Sequence, residues 1–329
     1  MSESDLDIVL RRGMHAEPLP QAALVRIRVA SEAEWRASTG QPVRRHRWPR
    51  YAAAATIAML MLGGGWIIGT RHQPGALVGH FEHIDYPGAV EQHRWLHDRA
   101  LADGEEVHSG QRILVRGGGR IALASAGSLR LAPGANIQID SAEQVRLTDG
   151  DLYVDIPPAR SASVHLAIVT PAGTFTHLGT QFQLAVHEGA TQLRVREGQV
   201  RWSSADHEVL SGPGTQLSID RDGHAVREQT GTTGADWAWA EVLGAPFEIE
   251  NRSLADYLHY VARETGRALL FTSPEEERRA STTILHGSIQ RLNAVESLSA
   301  VMATTSLRFT LGSDSIRIES SADSGKALR

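Results

Sequence analysis

The chain has 329 residues, no cysteine, and 33 Lys and Arg against 38 Asp and Glu, a net charge of −5. Without cysteine, disulfides, thiol catalysis and thiolate metal sites are excluded. Residues 1–50 carry nine Arg against six acids, +3, which leaves −8 on the remainder, so the long C-terminal part is acidic and poorly suited to nucleic acid.

At the N-terminus, Ser4 and Asp7 stand at capping-box spacing ahead of Ile8, Val9 and Leu10, which predicts a short helix that Pro18 and Pro20 interrupt. A second helix is expected from Gln21 to about Ser38, with Leu24, Ile27 and Trp35 on its apolar side. A unit this small buries little core and is expected to fold against a cytoplasmic partner; the alternative is a basic tail that only sets topology. Tyr51 to Thr70, YAAAATIAMLMLGGGWIIGT, has no charge and as a helix would reach roughly 30 Å, the thickness of a bilayer core. Arg44, Arg45, Arg47 and Arg50 precede it, and after Arg71 there is no Lys or Arg until Arg94. That asymmetry places the N-terminus in the cytoplasm, and Trp48, Tyr51 and Trp66 suit the two headgroup levels. Residues 51–70 are therefore read as a single N-terminal-side transmembrane helix, too far from the start for a cleaved signal peptide.

Residues 71–104 read as a connector rich in histidine. His93 and His97 have the spacing of zinc ligands on a helix face, but no Glu follows His93 and no third ligand is evident, so neither a metal nor a cofactor is assigned. From 105 to 230 the texture changes to short alternating runs such as RILVR, QVRLT, DLYVDI and QLRVRE, divided by turn signals at Gly117 to Gly119, Pro133-Gly134 and Asp149-Gly150. This predicts a mainly β domain of stacked short strands, either a sandwich or a solenoid-like roll. Residues 231–245, with Trp237 and Trp239, read as a linker.

Residues 246–320 predict a small α+β domain in the order βαββαββ, followed by a tail at 321–329. PFEIE is the first strand; Ser253 and Asp256 cap a helix that Gly266 stops; ALLFT follows. Pro274 to Arg279 reads as a charged turn, TTILHGSIQ as a third strand, and Asn293 with Glu296 as the cap of a second helix. SLRFTLGSDSIRIE closes as a hairpin around Gly312 to Asp314.

Several segments in one order carry a family resemblance. RIALASAGSLRLAPGANIQI, QVRLTDGDLYVDI, IVTPAGTFTHLGTQFQLAV and LRVREGQVRW resemble the periplasmic domain of FecR-type transmembrane regulators, the anti-sigma partners of TonB-dependent receptors. FEIENRSLADYLHYVARETG and LHGSIQRLNAVESLSAV resemble the secretin and TonB short N-terminal domain that ends many such regulators. The resemblance implies a single-pass inner-membrane transducer with its C-terminal domains in the periplasm. A TonB-dependent receptor, engaged with a ferric siderophore, would signal through its own signalling domain to an extracytoplasmic-function sigma factor in the cytoplasm. Leu24, Ile27 and Trp35 would contact the sigma factor, although only EAEW, Glu32 to Trp35, matches the longer anti-sigma segment of the family. Leu307, Phe309, Ile316 and Ile318 would mark a hairpin that meets the receptor, or alternatively form the core face of their domain. A non-signalling envelope scaffold is the alternative function.

No nucleophile, base and oxyanion set suggests a turnover enzyme. Some family members, however, cut themselves at a Gly-Thr bond, and LGTQF, Leu178 to Phe182, resembles that site, which implies cleavage between Gly179 and Thr180. The alternative is a turn between strands, since Gly173-Thr174, Gly214-Thr215 and Gly231-Thr232 repeat the dipeptide.

Overall fold

Period-two patterning builds most of this molecule. The computed structural model describes residues 75–93, 98–125, 127–158, 164–290 and 292–320. The expected span at 51–70, the residues Leu24, Ile27 and Trp35, His97 and the 321–329 tail lie outside the described residues. No described helix is long and apolar enough to cross a membrane. Every described residue belongs to one compact unit, His72–Arg329.

From 77 to 229 the strands join in one fifteen-stranded sheet. Phe81, Ile121, Leu129, Val154, Phe182 and Trp202 lie fully buried in one cluster, so this sheet curls over a single core. Of the two expected architectures, continuous hydrogen bonding fits the roll. Curling is possible because long strands change partners halfway along. Gln144–Asp155 pairs through its first half with Asn136–Ser141 and, in parallel, with Ala167–Thr170; through its second half it pairs with Ser128–Leu131 and Gly173–His187.

The stretch expected to be a connector belongs to this sheet. Leu77–Ile84 pairs with Gly119–Leu123 and with Glu106–His108, and Val90–His93 pairs with Arg112–Val115. Bulges shift its register between Leu77 and Gly79 and again between Phe81 and His83, so its buried residues Val78, Phe81 and Ile84 fall three apart. That spacing hides a strand from a search for strict alternation. His93 ends a strand and hydrogen-bonds Asp98 at 2.7 Å, so the helical spacing expected for it does not apply.

Residues expected to form a linker instead include helix α1, Ala235–Val242. Its Trp237 is fully buried, meets the Tyr153 ring edge-on at 6.1 Å and donates Nε1–H to the Gly231 carbonyl at 3.0 Å. Helix α2, Leu254–Thr265, begins where Ser253 Oγ accepts from the Asp256 amide and ends at Gly266, whose φ of 65° favours glycine. Helix α3, Pro274–Thr282, stands where a charged turn was expected. Pro at the first turn and Glu275, Glu276 and Glu277 beside the N-terminal dipole favour it, although Ala280 is its one buried apolar side chain. Helix α4, Ala294–Met302, starts with the expected Asn293 and Glu296 capping box.

These helices accompany a three-stranded sheet in which Ser315–Ser320 lies between Ala268–Phe271 and Leu307–Leu311, and a short ribbon of Arg252–Ser253 with Ile284–Leu285. The order is therefore βαβαβαββ. The expected first strand at 246–250 is not one, and the third shrinks to two residues.

Replacing Trp237 with alanine should destabilise residues 72–329 by about 3–5 kcal/mol, as for other buried large aromatics. Urea unfolding of that unit measures it. A loss under about 0.5 kcal/mol, the range of surface substitutions, would make the segment a linker after all.

Candidate functional site: the Gly179–Thr180 bulge and the seam beside it

Gly173–His187 and Ala190–Ser203 form a long antiparallel pair. The ladder runs to Leu178 opposite Gln199, breaks, and resumes with Gln181 opposite Glu197, so Gly179 and Thr180 together face Gly198. This is a bulge, two residues against one. Gly179 has φ of 69° and Gly198 of 74°, both in the left-handed region that suits glycine. A Cβ on Gly198 would lie 1.9 Å from the Gly179 carbonyl oxygen and 2.8 Å from Thr180 Cγ2, so only glycine allows this approach.

Thr180 is completely buried. Its carbonyl accepts from the Ile156 amide at 3.0 Å, but its hydroxyl Oγ1 has no hydrogen-bond partner among the described residues. An unpaired buried hydroxyl costs stability, so its presence calls for a reason. His177, also buried, has Nδ1 3.3 Å from the Gly179 amide nitrogen and Nε2 3.3 Å from that of Leu166. Burial, helped by the nearby His165, holds its pKa below the ordinary histidine value, so the ring is neutral at neutral pH. The structure thus places Gly179 and Thr180 in a bulge within a long strand, with Gly179 half-buried and Thr180 fully buried.

Beside the bulge runs a seam that sequence reasoning missed. Arg263, from α2, points its guanidinium at the residues flanking the bulge. Nη1 lies 2.6 Å from Asp155, Nε 3.2 Å from Glu197, and Nη2 donates to the Ile156 carbonyl at 3.3 Å. Asp155 and Glu197 are the two strand partners of Gln181. With its amide turned to satisfy both ends, Gln181 donates to the Arg263 carbonyl at 3.1 Å and accepts from Nη1 at 3.2 Å.

Three arginines of the sheet extend the seam. Arg130 is fully buried, forks onto Glu264 of α2 through two 2.9 Å contacts, lies 3.3 Å from Asp155 and donates to the Ala240 carbonyl of α1 at 2.7 Å. Burial alone would lower its pKa, but the charge of Glu264, with Tyr153 and Asp155 behind it, raises it, so the cation is secure. Its guanidinium also sits over the Tyr153 ring at 4.9 Å, and burial pushes the Tyr153 hydroxyl up. Arg120 donates to the Leu243 and Gly244 carbonyls, and Arg196 to those of Glu264 and Thr232. Cations thus meet the C-terminal ends of α1 and α2, where the helix dipole favours them.

Of the hairpin residues expected to face a receptor, Leu307, Ile316 and Ile318 are buried and Phe309 packs against the same cluster. They form the core face, and what the hairpin offers outward is the backbone of Leu307–Leu311 at the sheet edge.

Comparison with known proteins adds the following. Residues 106–201 match the family model described as FecR protein, while strands on either side of the match belong to the same sheet. No curated protein matches the chain. Among solved structures, a crystal structure of a candidate anti-sigma factor from Parabacteroides distasonis ATCC 8503 aligns at 13% identity over 64% of this chain and 99% of that one, with a TM-score of 0.35. A second structure of the same description and organism aligns at 12% identity over 63% and 96%, with a TM-score of 0.33.

Arg130→Met should cost about 3–5 kcal/mol, because it leaves Glu264 buried without its cation, while Asp155 keeps Arg263. Adding Glu264→Gln should recover part of the loss. Urea unfolding of both variants checks this, and equal losses would mean that the pair is not coupled.

Proposed function

We propose, from the match of residues 106–201 to the FecR family model, that the chain is an inner-membrane transducer that regulates an extracytoplasmic-function sigma factor. Residues 1–50 would hold the sigma factor in the cytoplasm, 51–70 would span the membrane, and the rest would stand in the periplasm. There it would answer the signalling domain of a TonB-dependent receptor, with ferric siderophore as the signal at the outer membrane. The FecR match carries the reading, joined to a basic N-terminal segment followed by an uncharged apolar run. The edge strand Leu307–Leu311 suits a partner that adds a strand, since main-chain hydrogen bonds give affinity without exposing the hairpin core.

The test uses the full chain in cells beside its sigma factor. Trp35→Ala and Leu24→Ala should abolish sigma retention by the membrane and change target-gene expression, with the membrane level of the chain unchanged. Unaltered retention and expression would refute the relay and favour a scaffold that ignores its cytoplasmic end.

The bulge supports a second reading, that the chain cuts itself once at Gly179–Thr180. Thr180 Oγ1 attacks the Gly179 carbonyl carbon through a five-membered ring. The carbon–nitrogen bond breaks, the hydroxyl proton passes to the departing nitrogen, and an ester with a free Thr180 amine results. Water then opens the ester, leaving a Gly179 carboxylate and restoring the hydroxyl. The observation behind this is the unpaired, buried Oγ1 beside a glycine held at positive φ. Denaturing intact-mass analysis of the purified chain should find two pieces that stay together under native conditions, because both halves of the strand keep their ladders. Thr180→Ser should still cut and Thr180→Ala should not. A wild-type chain that stays whole would leave Thr180 a structural residue.

A further inference from the structure

Among the described residues, Arg263 links the C-terminal part of the chain to the strands around the bulge through its side chain and its carbonyl. The Asp155 carboxylate, the Glu197 carboxylate, the Ile156 carbonyl and the Gln181 amide all converge on Arg263. Each of them bears on the Gly179–Thr180 bond. Gln181 is the next residue, Asp155 and Glu197 flank Gln181 on the neighbouring strands, and the Ile156 amide holds the Thr180 carbonyl.

Arg263 in turn is placed by how α2 docks. One residue on, Glu264 is gripped by Arg130 through its carboxylate and by Arg196 through its carbonyl. At the helix end, Gly266 lies so close that a Cβ there would meet the Thr232 carbonyl at 2.2 Å. Docking of the C-terminal domain and the seating of Arg263 are therefore one event. Without the guanidinium, Asp155 and Glu197 would face each other across Gln181 with no cation between them, and the Ile156 carbonyl would lose a donor.

From this geometry we infer that Arg263 is a positioning residue for the Gly179–Thr180 bond, so that docking of the C-terminal domain sets how fast the chain cuts itself. The inference rests on the self-cleavage reading. Arg263 touches neither reacting atom. It holds the strand that holds Thr180, and a displacement on the order of 1 Å at such a bond costs about a hundredfold in rate. A partner that pulled the C-terminal domain away would take Arg263 with it and slow the cut.

The experiment follows the full-length chain in membranes by pulse labelling, in wild-type, Arg263→Gln and Arg263→Lys forms. In parallel, hydrogen exchange of the full-length chain in detergent compares the same three side chains in the uncleavable Thr180→Ala background. Arg263→Gln should slow cleavage by about tenfold or more. It should also speed exchange across residues 176–183 while leaving α4 unchanged, which separates local loosening from unfolding. Arg263→Lys should fall between, since it keeps a charge between Asp155 and Glu197 but loses the fork to the Ile156 carbonyl. Cleavage at the wild-type rate in Arg263→Gln, or a slower rate without faster exchange at the bulge, overturns the inference and leaves self-cleavage standing. A wild-type chain that never cuts removes the self-cleavage reading and the claim about rate together, and unchanged exchange in that case would also deny Arg263 its hold on the bulge.

Discussion

A buried guanidinium is costly without acceptors for its charge, and that constraint organises the described part of this chain. Arg130 lies on the outer face of the sheet, away from the core, and is fully buried there. Its partners come from three places: Asp155 from the sheet, the Ala240 carbonyl from α1 and Glu264 from α2. Undocking the helices would return this cation to water, but while they stay docked, the loss of either acceptor would leave it buried and short of partners, at a cost of several kcal/mol. The same holds for Arg196, whose side chain is almost fully buried, with Glu241 of α1 at 2.7 Å and the Glu264 carbonyl of α2 at 2.8 Å. Docking is consequently specific as well as tight. A purely apolar contact would tolerate sliding, whereas these arginines reach particular carbonyls at the ends of two helices.

The second constraint is backbone geometry. A sheet that must curl over its own core needs places where a strand can bend, and the three longest strands carry glycine at positive φ: Gly150, Gly179 and Gly198. Gly179 and Gly198 face each other, which concentrates the bend at the bulge, and the seam presses on the same point from outside through Arg263. Bend and charge thus meet at one place in the fold. The ladders on both sides and the ion pairs beyond them hold the bend in place.

How much of this was legible follows from what each signal depends on. Alternation over 105–230 predicts strands because one face of most of them is buried in the curled core, although Ala225–Gln229 is exposed throughout. The caps of α2 and α4 and the closing hairpin are local chemistry, and they stand where the sequence puts them. The strand at 77–84 was hidden by its bulges, and α3 by having so little apolar face. The seam was hidden for a deeper reason. Arg120, Arg130, Tyr153 and Gln183 form a cross-strand row at the alternate positions of their strands. Such a row reads as a solvated face, because the residues that bury it lie 80 or more positions further along the chain. The bulge was half legible: LGTQF marks the dipeptide, but the Gly198 that makes room for it, and the unpaired hydroxyl, are matters of tertiary contact.

Under the proposed function, signalling through one membrane helix would lack an evident two-state element, and the position of the bulge bears on that difficulty. A cut at Gly179–Thr180 would divide the chain so that Asp155 and Arg130 lie on one piece and Arg263 and Glu264 on the other. The ladders joining the two would be 150–155 with 181–186 and 174–178 with 199–203. Every bond then holding the C-terminal domain to the N-terminal piece would be a hydrogen bond, an ion pair or an apolar contact. A joint of that kind has two states, closed and parted, and a partner that bound the C-terminal piece more tightly when parted would shift between them by its differential affinity. The intact strand allows no such separation, because the covalent chain keeps both halves in register. If the chain cuts itself, the arginine seam would have two successive roles: before the cut it would seat the bulge, and after it the seam would be the interface whose strength decides whether the pieces stay together.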